Sequence, residues 1–194
     1  MKLSIVTLHT NDTKILETIE SVYKTVKAQF EYILVDNNRN KERLNIIKQK
    51  FPLLKIIQNP TNYGYARGIN VGLREAKGEY VIFWDADIVA EPGMITKMWQ
   101  ALQKYPAASY AYSHFYFGRK KMTAVVFDPV LLRQRNYITS TSLIRRLAVE
   151  SWDESLRRFQ DWDLWLRLLK NGKTGVLVDQ YLFRIQPGGT MSAW

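Results

Sequence analysis

A chain of 194 residues, 46% hydrophobic and 24% charged, has the length of one domain and enough apolar content to build its own core, which excludes a disordered or low-complexity protein. The absence of cysteine excludes disulfides and thiolate metal sites and fits a reducing compartment. The net charge of +10 is uneven, with 14 Lys+Arg against 11 Asp+Glu in residues 1–100 and 14 against 7 in residues 101–194.

The opening MKLSIVTLHTNDTK is too short in apolar residues for a signal peptide, and no window nears the roughly 18 apolar residues of a membrane span. A soluble, cytoplasmic protein is expected. Leu3 to Leu8 reads as a strand; Ile15, Leu16, Ile19, Val22, Tyr23 and Val26 then recur at helical spacing behind Asn11-Asp12, which suit helix caps. Tyr32 to Asp36 repeats the strand pattern, Leu44, Ile46 and Ile47 belong to a helix closed by Phe51-Pro52, and Leu54 to Ile57 is a third strand. Residues 65–77 form a further helix with Gly78 as its cap, and Tyr80 to Trp84 a fourth strand. Strands apolar on both faces and alternating with helices predict a mainly parallel sheet covered on both sides.

From Pro92 a helix runs to Tyr105-Pro106, residues 108–127 hold two strands around Gly118-Arg119-Lys120-Lys121, and DWDLWLRLLK at 161–170 is a helix stopped by Asn171-Gly172. Val176 to Val178 is a last strand. No linker separates the halves, so this mixed region is expected to complete the first half's sheet.

Ligands of open α/β sheets bind beyond the carboxyl ends of the strands. Polar groups stand at three such ends: Thr7 to Asn11, Asp36-Asn37-Asn38, and Asp85-Ala86-Asp87. Two carboxylates one residue apart would share a face of an extended strand and repel unless a donor or cation relieves them. A hard divalent cation, Mg²⁺ or Mn²⁺, suits them because it takes one or two carboxylates together with phosphate oxygens and water. The plain alternative is that they cap the turn before Glu91-Pro92.

The basic clusters Arg119-Lys120-Lys121, Arg145-Arg146 and Arg157-Arg158 can meet phosphates, nucleic acid or an anionic membrane leaflet, or can simply solvate the surface. His9 and His114 lack metal-site spacing and read as surface or packing residues. Tyr110, Tyr112 and Tyr116 read mainly as strand packing, with a platform for stacking a ring-shaped ligand as the alternative.

The segment NPTNYGYARGINVGLREAKGEYVIFWDADI sets Asn62, Gly64, Ala66, Gly68, Asn70 and Gly72 in the order N-x-G-x-A-x-G-x-N-x-G and ends in D-x-D. It resembles the family 2 glycosyltransferases, and IVTLHTND, ILVDNN and SWDESLRRFQDWDLWLRLLKNGK are similar to that family's first strand, second strand and acceptor-side segment. The resemblance implies a single domain over 1–194 with the Rossmann-like GT-A fold: a mainly parallel central sheet flanked by helices, a nucleotide-sugar-binding half at 1–90 and a mixed acceptor-side half at 91–194. It implies inverting, metal-dependent transfer of a sugar from a nucleotide-diphospho-sugar to an acceptor hydroxyl on a glycan or lipid-linked saccharide. By the same resemblance Thr7, Asp36 and Arg67 lie at the nucleotide, Asp85 holds the ribose or metal, and Asp87 binds the metal on the diphosphate.

Asp161 stands at the family's catalytic-base position, preceded by Gln160 where the family carries Glu; Asp161 and Asp163 also suit the negative end-charges of a helix start. LFRIQPGGTMS resembles a closing loop in which Gln186 replaces a His that reaches the diphosphate or metal and Gly188-Gly189 supplies flexibility; on the acceptor side Trp152, before Asp153-Glu154, borders the acceptor and Asp163 is the alternative base. Asp36 accepts from the ring N–H of uracil or thymine, so UDP- or dTDP-sugars are the expected donors; nucleic acid is not an expected partner, whereas peripheral contact with an anionic membrane is compatible with the basic half. A nucleotidyltransferase of related fold and a non-catalytic basic nucleotide- or nucleic-acid-binding protein are the alternatives; the first lacks a Gly-rich loop after strand one. The chain, ending at Ser192-Ala193-Trp194, is short for the family.

Overall fold

The computed structural model describes residues 1–10, 12–37 and 41–187. Asn11, Asn38, Gly188 and Gly189 lie outside them. The elements are β1 (Lys2–His9), α1 (Ile15–Thr25), β2 (Gln29–Asp36), α2 (Lys41–Lys50), β3 (Lys55–Gln58), α3 (Tyr65–Glu75), β4 (Tyr80–Phe83), β5 (Ile88–Ala90), α4 (Met94–Lys104), β6 (Ala108–Phe117), β7 (Lys120–Met122), α5 (Pro129–Gln134), β8 (Leu143–Arg145), α6 (Gln160–Lys170) and β9 (Thr174–Ile185).

One mixed sheet runs through the domain in the order β3-β2-β1-β4-β8-β6-β9-β5, with β7 paired to β6. The first-half strands β3, β2, β1 and β4 are all parallel. Strand β8 is antiparallel to both β4 and β6, and β9 is parallel to β6. Strands β1, β2, β4, β6 and β9 therefore all end at one rim. The second half does complete the first half's sheet.

Strand periodicity divides the core between the two sheet faces. Leu3, Ile5, Tyr32, Leu34 and Ile82 join Ile15, Ile19 and Val22 of α1 on one side. Val6, Leu8, Ile33, Val35, Val81 and Phe83 join Ile69 and Leu73 of α3, and Leu164, Trp165 and Leu168 of α6, on the other. Burial on both faces is why these strands show no polar alternation.

The glycines of α3 let this helix lie against the sheet. A Cβ on Gly68 would come within 2.5 Å of Leu8 Cδ1, and one on Gly72 within 2.4 Å of Val6 Cγ1 and 3.0 Å of Val35 Cγ2. Their four-residue spacing places both on the helix face that meets β1 and β2.

Several expectations are corrected. Residue Lys14 occupies the N-cap of α1, and Asp12 gives its backbone carbonyl to Ile15 N–H. Helix α3 ends at Glu75 with Ala76 as C-cap; Gly78 lies beyond it, where a Cβ would strike Ser4 N at 2.5 Å. The last strand is twelve residues long instead of three. The sequence carried no clear signal for β5, β8 or α5, because the two strands have three residues each and the helix six. Of the basic clusters, Arg145 is spent internally: it donates to Ala108 O at 2.9 Å and Leu102 O at 2.6 Å and lies over the Tyr80 ring. No described helix is long and apolar enough to cross a membrane.

Candidate active site

Strand β4 hands its last backbone bond to Trp84, whose N–H reaches Val6 O at 2.9 Å, and the chain then turns. Asp85-Ala86-Asp87 is that turn, closed by Ile88 N–H to Asp85 O at 3.2 Å, so the two aspartates are not neighbours on an extended face. Every carbonyl of the turn is taken. Ala86 O accepts from Thr18 Oγ1 of α1 at 2.7 Å, Asp87 O from Gln186 N–H at 2.9 Å, and Ile88 O from the Trp84 indole at 3.3 Å. The turn is thus fixed by the first helix, its own strand and the segment leaving β9.

The carboxylates divide the work. Asp85 Oδ1 accepts from the Tyr65 hydroxyl at 2.8 Å and Oδ2 from Ser140 at 2.9 Å. Burial raises its carboxyl above the ordinary range; the two hydroxyls oppose that rise, while Asp161 and Asp12 add to it. Asp87 is pushed up to about 7, by burial first and then by the negative charges of Asp85 and Asp12, against a smaller pull from Lys14. A carboxylate so placed has charge to give to a cation.

Asp161 sits in the first turn of α6. Its Oδ1 accepts from Trp162 N–H at 2.8 Å and its Oδ2 from Asn136 Nδ2 at 2.8 Å. Burial raises its carboxyl and these donors oppose the rise. The N-cap is Phe159, which makes no side-chain cap bond; Asp161, two residues on, takes up a backbone N–H of the first turn and is also held by Asn136. The preceding Gln160 is buried and donates to Leu156 O at 2.9 Å. Asp163 points into a different partnership, with Arg167 Nε at 2.8 Å, and Arg167 also meets Glu150 at 3.0 Å. Asp161 therefore joins the rim acids, and Asp163 does not.

The remaining candidates spread along the same rim. Thr7 is fully buried and donates to the Tyr32 hydroxyl at 3.0 Å. Asp36, 1% exposed, ends β2 directly opposite His9 of β1. His9 is itself fully buried, and burial lowers its pKa against the opposing charges of Asp36 and Asp12. Arg67 is exposed, with its guanidinium 3.8 Å from the centre of the Tyr63 ring. Trp152 is buried edge-on against Tyr65 and Phe83, so it meets the site through the Tyr65 ring and offers no open stacking face. Tyr110 and Tyr112 are likewise fully buried, whereas Tyr116 is half-exposed. His114 is a packing residue that bonds Asp179 at 2.8 Å and accepts from Ala124 N–H.

Gln186 donates to Glu17 Oε1 at 2.6 Å, while its own Oε1 is buried without a partner. That orphaned oxygen belongs to the residue whose N–H is bonded to Asp87 O. Among the described residues no three His, Cys, Asp or Glu side chains converge on one point. An acidic Asp87 and one neutral amide oxygen fit a Mg²⁺- or Mn²⁺-type ion that takes most of its oxygens from phosphates and water, and do not fit an all-protein cage.

Residues the sequence did not single out are central here. Tyr65, Ser140 and Asn136 fix Asp85 and Asp161. Asn37 donates to Asn62 and Gly64 O and accepts from Asn59, tying the ends of β2 and β3 to the start of α3. Asn70 bonds Trp152 N–H and C=O at 2.8 Å each and Glu154 at 2.9 Å. The glycine-asparagine run is therefore a packing and positioning device; only Tyr65 within it reaches the acids directly.

Residues 4–161 match the model of Glycosyl transferase family 2. An uncharacterized glycosyltransferase of Methanocaldococcus jannaschii is 26% identical over 188 residues, covering 87% of this chain and 64% of that protein. The UDP-Glc:alpha-D-GlcNAc-diphosphoundecaprenol beta-1,3-glucosyltransferase WfaP of Escherichia coli is 26% identical over 186 residues, covering 90% of this chain and 73% of that one. The crystal structure of Staphylococcus aureus TarS 1-349 superposes with a TM-score of 0.81 at 20% identity, over 96% of this chain and 60% of that one, a likeness of fold. This chain thus spans less than two thirds of the archaeal relative and of TarS 1-349. With the family model covering most of its length, the chain belongs to Glycosyl transferase family 2.

Proposed function

We propose that the domain transfers a sugar, with inversion, from a nucleotide-diphospho-sugar to a hydroxyl of a saccharide acceptor, free or lipid-linked, in the cytoplasm. The observation that carries the reading is the pinned Asp85-Ala86-Asp87 turn, in which Asp85 bears on Asp87 and is itself raised by the negative charge of Asp161. In this reading residues 1–90 bind the donor and residues 91–194 the acceptor. Asp36 and the end of β1 at Thr7 border the nucleotide base, for which uracil or thymine is preferred, Arg67 lies nearby, and Asp85 takes the ribose side.

Asp87, with Gln186 Oε1, would hold a Mg²⁺ or Mn²⁺ ion, and such an ion stabilises the negative charge that develops on the departing nucleoside diphosphate. Asp161 accepts the acceptor's hydroxyl proton from the far side of the sugar, and burial, by raising its carboxyl, makes it a stronger base than an exposed aspartate. Asn136 keeps it aimed. Asp163 and Trp152 act at one remove, by holding α6 and Tyr65.

The test is a thermal-shift panel of nucleoside diphosphates with and without Mn²⁺. UDP or dTDP should stabilise the wild type in a Mn²⁺-dependent way and Asp87→Ala should lose that shift. No stabilisation by any nucleotide, or an unchanged shift in Asp87→Ala, would overturn the proposal.

A further inference from the structure

Strands β6 and β7 form a hairpin whose turn is at the same rim as the acids. The pairing Phe117↔Lys120 leaves Gly118-Arg119 as the two-residue loop, with Gly118 at φ 58°. Phe117 is level with Ile185 of β9, and Ile185 with Ile88 of β5. Two strand spacings thus separate the hairpin end from the Asp87 turn, about 10 Å. The link is physical: Gly118 N–H bonds Ile185 O at 2.9 Å, and the next residue, Gln186, bonds Asp87 O.

On one face of the sheet formed by this hairpin and β9, cations alternate with rings. Arg184 lies 4.4 Å from the Tyr116 ring centre and also bonds Gly118 O, while Lys121 is 5.4 Å from the Tyr181 ring centre. The two rings are 4.8 Å apart. Arg119, Lys120 and Lys121 are exposed, and among the described residues none of them, nor Arg184, has a carboxylate within 4 Å. Asp179, two residues before Tyr181, is engaged by His114. Lys120, level with Phe117, faces the other side, so three positive charges, Lys121 and Arg184 on this face and Arg119 in the turn, stand beside two half-buried rings and make a site for an oxyanion attached to a stacking group.

We propose that Tyr116, Arg119, Lys121, Tyr181 and Arg184 bind a phosphate or diphosphate group carried by the acceptor. The inference rests on the glycosyltransferase reading above and deepens it, naming an anionic acceptor. Held there, such a group is about two strand widths from the donor diphosphate, close enough for its sugar to reach the bond being broken and far enough to limit repulsion between the two anions.

The probe is geranyl diphosphate, titrated by intrinsic fluorescence in the presence of saturating UDP and Mn²⁺, with geraniol as its phosphate-free counterpart. The wild type should bind the diphosphate and not the alcohol, with affinity falling as salt is raised from about 50 to about 300 mM. The surface variant Arg119→Glu/Lys121→Glu should bind it at least tenfold more weakly and keep the UDP–Mn²⁺ thermal shift. Equal binding by wild type and variant, or no binding by the wild type, would overturn the proposal. So would parallel loss of the UDP shift in the variant, which would assign the patch to the donor's diphosphate. Tight binding of the wild type to phosphatidylglycerol vesicles that abolished geranyl diphosphate discrimination would assign it to a membrane surface instead. A wild type that ignored UDP altogether would sink the glycosyltransferase reading, separately from this one.

Discussion

The Tyr65 hydroxyl donates to Asp85 Oδ1 at 2.8 Å, joining the first turn of α3 to the acid turn after β4. With Ser140 on the other oxygen, both sides of Asp85 are satisfied by neutral donors, which stabilise its ionised form without competing for a cation. Tyr65→Phe removes one donor and leaves the ring packing with Trp152 intact. Losing one hydrogen bond to a charged, partly buried carboxylate costs about 1.5 to 3 kcal/mol. Because the Tyr65 bond lowers the Asp85 pKa, its removal raises that pKa further. Activity of Tyr65→Phe should fall roughly tenfold to a hundredfold, with the acid limb of the pH–rate profile displaced upward, measured as kcat across pH 5 to 9.

Asp87 carries a stability cost that its replacement exposes. Its folded pKa, about 7, stands above the ordinary 3.8, so the folded state retains a proton that the unfolded state has lost. Stability conferred by that proton is full below about pH 4 and declines as pH rises to about 7. Asp87→Asn should therefore be more stable than the metal-free wild type at pH 8, by about 2 kcal/mol after allowance for partial exposure, with the difference closing toward pH 4. The same variant should lose the Mn²⁺-dependent response to UDP. Melting temperatures at pH 4, 6 and 8, without metal, check the sign.

Asp161→Asn should lower kcat by about 10² to 10⁴ while leaving UDP binding within twofold, since a base contributes to proton transfer and not to donor affinity. Asn136→Ala should give a smaller loss of kcat, because it frees Asp161 Oδ2 from its donor and leaves the carboxylate present. Single-turnover rates alongside UDP titrations separate the two effects.

Gly72→Ala tests the packing of α3 on the sheet. An added methyl would lie 2.4 Å from Val6 Cγ1, in the middle of two fully buried strands. Overpacking of this kind costs about 1 to 3 kcal/mol and moves the helix that carries Tyr65. Chemical denaturation should show the loss. Val6→Ala should recover part of it in the double variant.

Much of the first half is legible in the amino-acid sequence, because β1, β2, β4, α1 and α3 each display the periodicity of an element buried on one or two faces. The turn chemistry and the D-x-D pair locate the rim, and the family resemblance accounts for Asp161. The short pieces are not legible: Leu143–Arg145 forms a strand only because it fills the gap between β4 and β6, and three residues carry no period. Nor does the sequence reveal that Tyr65 and Ser140, 75 positions apart, meet on one carboxylate. Such pairings arise from the sheet order, which brings distant segments together without leaving a local pattern. The caps expected at Asp12 and Gly78 give way to Lys14 and Ala76 for a different reason, since each residue type suits several local roles and tertiary contacts decide among them.

The bond from Gln186 N–H to Asp87 O joins the exit of the last strand to the acid turn, and Lys14 of the first crossover donates to Pro187 O at 2.8 Å beside it. Displacing residues 186 and 187 outward would unlatch both contacts together. The exit of β9, the first crossover and the acid turn are thus fastened at a single point, and a change that loosens one loosens the others.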